Sequence, residues 1–307
     1  MLNGMKPVKR IELPRIEDRI SFVYADNCRL EKNNGAVSLI TQDGEMDIPA
    51  AQLIVLMLGP GTTVTHRMVQ IASEAGMCIV WVGEEGVRFY AGGSPLSGDT
   101  KLLVKQARIV SNEKLRIAAA KRMYNIRYPD EDITELSMRQ LLGREGTRVG
   151  KRYRELSELY HIPWNGRKYN SEDFESNDPL QNALSCANSC LYGVCYSVIY
   201  AMGLSPRLGI VHNGLSKSFV LDIADIYKEE ISFPVAFSEI SKGNFDMERR
   251  VRKSMREIFK DRRFLKCIVA DIMLILDDGD LGTIDGRNKL WAGFKENVDG
   301  AVRYGKK

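Results

Sequence analysis

GGSPLSGDT, running from Gly92 to Thr100, is the stretch on which the fold turns. Before it, short runs rich in β-branched and aromatic residues follow one another: RISFVYA, AVSLITQ, QLIVLML, CIVWVG and GVRFYA. Asn-Asn-Gly and Gln-Asp-Gly lie between the early runs and have the composition of tight hairpin turns. One helical pattern interrupts them, THRMVQIASEAG, closed by Gly76. From Lys101 onward, apolar positions recur instead at helical spacing. They do so in LLVKQARIVSNEKLRIAAAKRMYNIR, between Met138 and Tyr160, in LQNALSCANSCLYGVCYSVIYAM and in MERRVRKSMREIFK. A change of period across a Gly-, Pro- and Ser-rich segment predicts an α+β chain, with a β-rich N-terminal domain over residues 1–95 and a larger all-α catalytic domain over 96–278. Residues 279–307 are rich in glycine and charge, with an isolated Trp291, and are expected to form a weakly ordered tail or one ordered by a partner.

Composition supports two compact units. A chain of 307 residues, 44% hydrophobic and 27% charged, buries sizeable cores but exceeds what one core usually holds. Its net charge of +4 comes from 44 Lys and Arg against 40 Asp and Glu, so any polyanion-binding surface must arise from the distribution of charge and not from its total. The N-terminus is interrupted by charges and has no apolar signal core, and the most apolar runs, AAQLIVLML and CIVADIMLIL, are short and contain Gln52 and Asp271. Neither a secretory signal nor a membrane span is expected. Six cysteines without export signals read as reduced thiols of a cytoplasmic protein, with Cys186, Cys190 and Cys195 packed in a core.

The candidate chemistry begins at Glu145. On a helix from Met138, Leu141, Leu142, Val149 and Leu156 form one apolar stripe, and Glu145 falls inside it. A carboxylate there must be met by a cation, a donor or a metal; a structural ion pair with an arginine from elsewhere in the core satisfies it equally well. Gly143 and Gly146 flank it, as a close approach of a ligand or another backbone requires. His212, one of only three histidines, sits between an apolar run and the turn pair Asn213-Gly214, which predicts an exposed loop edge. Asp222 and Asp225 lie three apart in LDIADIYKEE and face one way on a helix, with Glu229 one turn on. Taken singly, His212 is an ordinary hydrogen-bonded histidine and the aspartates a solvated face. As a set with Glu145, they offer oxygen ligands and one imidazole, which suits Mg²⁺ or Mn²⁺.

Two further segments suit nucleic acid. In MERRVRKSMREIFK, the face of Val251, Met255, Ile258 and Phe259 lies opposite Arg249, Arg252, Lys253, Arg256 and Lys260, a basic strip able to neutralise phosphates or simply to be solvated. WNGRKYNSEDF interleaves Trp164, Arg167, Lys168, Tyr169 and Phe174, as a platform for unpaired bases does. GPGTTVTH, by contrast, resembles a phosphate cradle but lacks the Lys-Ser/Thr ending, so Thr62 to Thr65 read as helix caps.

Several motifs in one order carry a resemblance: LGPGTxVTH, VWVGEEGVRFYAGG, EGTRV around Glu145, WNGRKY, NxxxSxxxSCLYGV from Asn182, GxxPxxGIVH ending at His212, and SFVLDIADIYK. Together, from about Arg15 to Phe259, they are similar to the CRISPR-associated adaptation integrases, the Cas-one family, in its type I-E form. The resemblance implies a β-rich domain followed by a helical domain with a divalent-metal site, its ligands Glu145, His212 and Asp225, and Asp222 a further acidic residue of the catalytic set. It implies DNA contacts at Arg88, Arg167, Lys228, Arg249 and Arg252, with Tyr169 and Phe174 at a splayed single-stranded end and Tyr192 beside the site. The implied activity is insertion of foreign DNA fragments into a CRISPR array by 3′-hydroxyl transesterification, with hydrolysis as a side reaction. Implied partners are double-stranded DNA with single-stranded 3′ ends, CRISPR repeat DNA, a second copy of the chain, and a small ferredoxin-like adaptation subunit bound by two dimers. Thr63 stands where relatives can carry arginine, and Glu229 has no placed counterpart in the pattern. A metal-dependent DNA repair nuclease and a non-catalytic DNA scaffold are the alternatives.

Overall fold

The computed structural model describes residues 20–84, 88–93, 100–166, 178–261, 264–277, 289–291 and 297–299. Its first part holds two four-stranded sheets. Strands β1 (Ile20–Ala25), β2 (Arg29–Asn33), β3 (Ala36–Thr41), β4 (Gly44–Pro49), β5 (Leu53–Leu58) and β6 (Thr63–Val64) precede helix α1 (His66–Glu74), and β7 (Cys78–Val82) and β8 (Phe89–Gly93) follow it. One sheet has the order β4-β3-β2-β6, the other β1-β5-β7-β8. The β2–β3 hairpin turns at Asn34 and Gly35, with φ of 43° and 90°. Both angles lie in the left-handed region that asparagine and glycine enter most readily, and that twist matches the flanking strands.

In the second sheet β1, β5 and β7 run parallel, and β8 is antiparallel to β7. A parallel strand covered on both faces has no solvent side, which is why β5 reads as the unbroken apolar run LIVLML and why Leu53, Val55, Leu56, Met57 and Leu58 are all buried. Helix α1 closes one face through Met68 and Ile71. It starts at Thr65, whose hydroxyl accepts from the Met68 N–H at 3.3 Å, so the GPGTTVTH segment ends in a helix cap.

The second part is helical. Helices α2 (Lys101–Ser111) and α3 (Glu113–Arg127) divide at Asn112, whose side chain caps α3. Helix α4 (Met138–Tyr160) opens on a capping box between Ser137 and Gln140, and α5 (Pro179–Ala201) on Asp178 with proline in its first turn. Then come α6 (Ser218–Asp225), a π-turn (Lys228–Ser232), α7 (Phe233–Ser241), α8 (Met247–Asp261) and α9 (Phe264–Ile275). Helix α5 is apolar around most of its circumference and is the axis of the core, packed against Phe219, Phe237, Val251 and Ile268. The π-turn has a local cause: Pro234 has no N–H and its ring crowds the carbonyl four residues back, so the helix widens and the Phe233 N–H bonds to Lys228 O.

Sheet and helices meet at β8 and α5. The Phe89 ring stacks on Tyr196 with centroids 4.1 Å apart, and the Tyr200 hydroxyl donates to Gly92 O at 2.8 Å. A Cβ on Gly92 would lie 2.7 Å from the Tyr200 ring, so this contact requires glycine. Beyond α9, the described part of the tail is one antiparallel pair, β9 (Lys289–Trp291) with β10 (Asn297–Asp299), in which Trp291 lies opposite Asn297. All six cysteines are free thiols, and no described helix is long and apolar enough to cross a membrane.

Candidate active site

The site is built around a fully buried carboxylate. Asp222 on α6 has no exposed surface and accepts from the backbone N–H groups of Ile210 at 2.5 Å, Val211 at 3.1 Å and His212 at 2.8 Å. The same carboxylate lies 2.8 Å from His212 Nδ1. An ionised carboxylate only accepts, so Nδ1 carries the proton and Nε2 presents its lone pair. The hydrogen bond to Asp222 raises the His212 pKa above its ordinary value; burial opposes the rise, and the Asp225 charge adds to it. Gly209 makes the turn possible: a Cβ there would stand 2.3 Å from His212 O and 2.7 Å from Ser218 Cβ. His212 is therefore half-buried and anchored, not held at an exposed loop edge as its turn-rich flanks suggest, and the two aspartates do not share a solvated face.

Asp225 Oδ2 lies 3.7 Å from His212 Nε2, while its other oxygen is ion-paired with Lys228. The Lys228 ammonium sits 5.1 Å from the centre of the Tyr192 ring. Burial works to lower the Lys228 pKa, but Asp225 and Tyr192 outweigh it and the ammonium stays charged. Glu145 reaches the same cleft from α4, where it lines the wall with His212, Asp222 and Asp225. Its carboxylate is ion-paired with Arg127, the last residue of α3, and Arg127 also reaches Glu229 in the π-turn at 2.5 Å. The Tyr128 hydroxyl donates to Glu229 as well.

The four acidic and imidazole groups thus converge on one cleft, but cations hold two of them. Among the described residues, no three His, Cys, Asp or Glu side chains are already gathered to hold a metal ion. The donor set nevertheless fits one in kind. Its ligands are hard oxygens and an imidazole oriented by a carboxylate behind it, and Nε2 faces the free oxygen of Asp225. Asp222 itself is saturated by four donors, which makes it a positioning group and leaves Glu145, His212 and Asp225 as the side chains able to hold a cation.

The apolar stripe of α4 differs from its sequence reading at one position. Leu141 and Leu156 are buried and Tyr153 joins them, but Leu142 is 47% exposed. No atom of this chain lies within 4 Å of a Cβ built on Gly143, Gly146 or Gly150, so the helix surface beside Glu145 is open. On α8, Arg249 is exposed and pairs with Asp246 at 3.6 Å, Arg252 with Glu248 at 3.0 Å, and Lys253 with Glu257 at 4.0 Å. The basic strip is thus interleaved with acids, and Arg256 is half-buried in it. Arg88 is exposed at the start of the β8 approach, and its charge and that of Arg252 both reach the Cys190 thiol. Arg167, Tyr169 and Phe174 lie outside the described residues. Arg127 and Tyr128 were missed by sequence reasoning; the only signal was that Glu145, on an apolar face, needed a cation.

Comparison with known proteins agrees with this geometry. The family described as CRISPR associated protein Cas1 matches over residues 21–128 and 130–263. The chain belongs to the Cas1 family. Its Cas1 relatives include a CRISPR-associated endonuclease Cas1 of Clostridium sp. strain SY8519, 40% identical over 297 residues and covering 95% of this chain and 97% of the relative. Another, from Geobacter sulfurreducens, is 37% identical over 278 residues, covering 90% of each chain. The crystal structure of a TtCas1-DNA complex superposes with a TM-score of 0.80 at 35% identity, covering 87% of this chain and all of that one.

Proposed function

We propose that this Cas1 protein is a metal-dependent DNA integrase and endonuclease that inserts foreign DNA fragments into a CRISPR array as new spacers. The observation that carries it is the anchored His212: Asp222 fixes its tautomer, and Nε2 faces Asp225 across a cleft that Glu145 also lines. In support, relatives are named CRISPR-associated endonucleases and the similar TtCas1 structure holds DNA. Glu145, His212 and Asp225 would hold Mg²⁺ or Mn²⁺, which when bound polarises the scissile phosphate and offsets charge on the leaving oxygen. The oxygen of a fragment's 3′-hydroxyl attacks phosphorus, one P–O bond forms as another breaks, and no external energy source is needed. Water in place of the hydroxyl gives hydrolysis.

The chain's own residues supply the rest. Asp222 keeps the imidazole in one orientation, so no rotational entropy is lost when Nε2 is engaged. Lys228 holds a positive charge over Tyr192 beside Asp225, where a scissile phosphate would lie. The open face of α4 leaves room for a DNA backbone at Glu145, and Arg88, Arg167, Arg249, Arg252 and Arg256 would position it by phosphate contact without reading sequence. Tyr169 and Phe174 would stack unpaired bases of a single-stranded 3′ end. We assign the chemistry to the helical residues 96–278, and the working assembly to two homodimers bridged by a small ferredoxin-like subunit, in a prokaryotic cytoplasm and of type I-E kind.

One observation favours a second reading. The Glu145–Arg127 ion pair is what a structural role for Glu145 requires, as in a non-catalytic DNA scaffold. Strand transfer separates the possibilities: protein with its partner subunit, a short duplex with free 3′ ends, a supercoiled plasmid carrying a repeat, and Mn²⁺ or EDTA. Metal-dependent joining lost in His212→Ala and Glu145→Ala is the expected result. Hydrolysis without joining would indicate a repair nuclease, and DNA binding without metal-dependent chemistry the scaffold.

A further inference from the structure

We infer that Arg127 is a built-in competitor for the divalent cation at Glu145, and that Glu229 sets how strongly it competes. The inference rests on the metal-site reading above. Arg127 is buried, with 8% of its side chain exposed, between Glu145 on α4 and Glu229 in the π-turn. One guanidinium nitrogen is spent on each acid: Nη1 on Glu145 and Nη2 on Glu229. Glu229 is itself held, by the Tyr128 hydroxyl on its side chain and by Arg152 Nε on its backbone carbonyl at 3.3 Å. The Arg127 guanidinium lies 5.1 Å from the Tyr128 ring centre.

The charge count explains why two acids are present. A cation arriving at Glu145 must displace Arg127, and a buried guanidinium left with no partner carries a large desolvation penalty. Glu229 removes that penalty. With Glu145 transferred to the metal, Arg127 and Glu229 remain as a neutral, hydrogen-bonded pair in the same place. Without Glu229, Arg127 has Glu145 alone to neutralise it and resists release. Without Arg127, two carboxylates face the cleft unneutralised and attract a divalent ion more strongly. Nothing else in the site predicts opposite signs for two residues that touch the same guanidinium.

The test is Mn²⁺ affinity of the full-length protein, read by calorimetry and by the electron paramagnetic resonance of free Mn²⁺, with a melting curve of each variant in EDTA. Glu229→Gln, an isosteric change, is expected to weaken Mn²⁺ binding on the order of tenfold, and Arg127→Gln to strengthen it by roughly the same factor. The double variant is expected to return toward the wild-type affinity, a non-additivity that mere loss of structure does not produce. His212→Ala serves as the control for the metal site. If wild type binds no Mn²⁺, or His212→Ala binds it unchanged, the site reading fails and the inference with it. If binding depends on His212 but Glu229→Gln leaves it unchanged or tightens it, the site stands and the competitor role is overturned. Where Arg127→Gln unfolds, Glu229→Gln alone decides.

Discussion

Replacing Asp222 should cost more stability than replacing any other acid of the cleft. Its carboxylate is fully buried and neutralises three backbone N–H groups at 2.5, 3.1 and 2.8 Å and one imidazole N–H at 2.8 Å. Each buried donor left unsatisfied costs about 1–3 kcal/mol, so three backbone donors together set an upper range of roughly 3–9 kcal/mol. Relaxation of the Ile210–His212 strand toward water recovers part of this, and a loss of about 3–5 kcal/mol is expected for Asp222→Ala. Asp222→Asn keeps the shape and one accepting oxygen but turns an NH₂ group toward donors, and should lose about 2–3 kcal/mol. Asp225→Asn removes one partner of a partly exposed ion pair, and about 1 kcal/mol or less should be lost. Urea unfolding midpoints with a common slope give the three values in the absence of metal. An Asp222→Ala protein within about 1 kcal/mol of wild type would refute the claim that this carboxylate organises the His212 segment.

Three other outcomes are expected. Gly209→Ala places a methyl group against backbone atoms that cannot step aside, so it should destabilise by about 1–3 kcal/mol and shift the His212 ring resonances; an unperturbed spectrum would contradict the close approach. Burial pushes the Cys78 thiol up to about 12 and raises Cys195 as well, whereas Cys267 is exposed. A thiol reagent should therefore label Cys267 quickly in the native protein and leave Cys78 and Cys195 until unfolding, as peptide mapping will show. Burial lifts the Asp271 carboxyl above its usual range, against the hydrogen bond from Tyr227. The folded state then binds that proton more tightly than the unfolded one, so the contribution is complete below about pH 4 and lost as pH rises through the elevated folded value. Asp271→Asn should consequently raise the melting temperature relative to wild type at pH 7.5 but not at pH 4, and equal shifts at both would exclude this origin.

Local chemistry made some parts of this molecule readable in advance. Asn34-Gly35 specified its hairpin, Thr65 its cap, and the apolar run of β5 its burial, because each depends on residues adjacent in the chain. Sheet order did not appear, since the parallel pairing of β1 with β5 and β7 depends on contacts between distant segments. Break points inside helices were hidden for a related reason: Asn112 divides α2 from α3 although the apolar spacing runs through it. At the site, a carboxylate on an apolar face was enough to mark Glu145, but its partner Arg127 comes from α3 and left no mark of its own. The aspartates misled because helical spacing gives direction without depth. Asp222 is sealed in the core while Asp225, three residues on, faces the cleft.

The π-turn after α6 has a consequence for which changes of chain length the protein tolerates. It accommodates one residue more than a regular helix would, and that surplus lets neighbours Lys228 and Glu229 serve separate clients, Asp225 and Arg127. Deleting a single residue between Lys228 and Ser232 would reset the phase of everything that follows by about 100°. Phe233 and Phe237, both buried, would rotate out of the core, and the two charges could no longer be aimed apart. Substitutions across this segment are ordinary perturbations, but its residue count is fixed. Lineages of this protein should therefore vary freely in the length of their surface turns and hardly at all here.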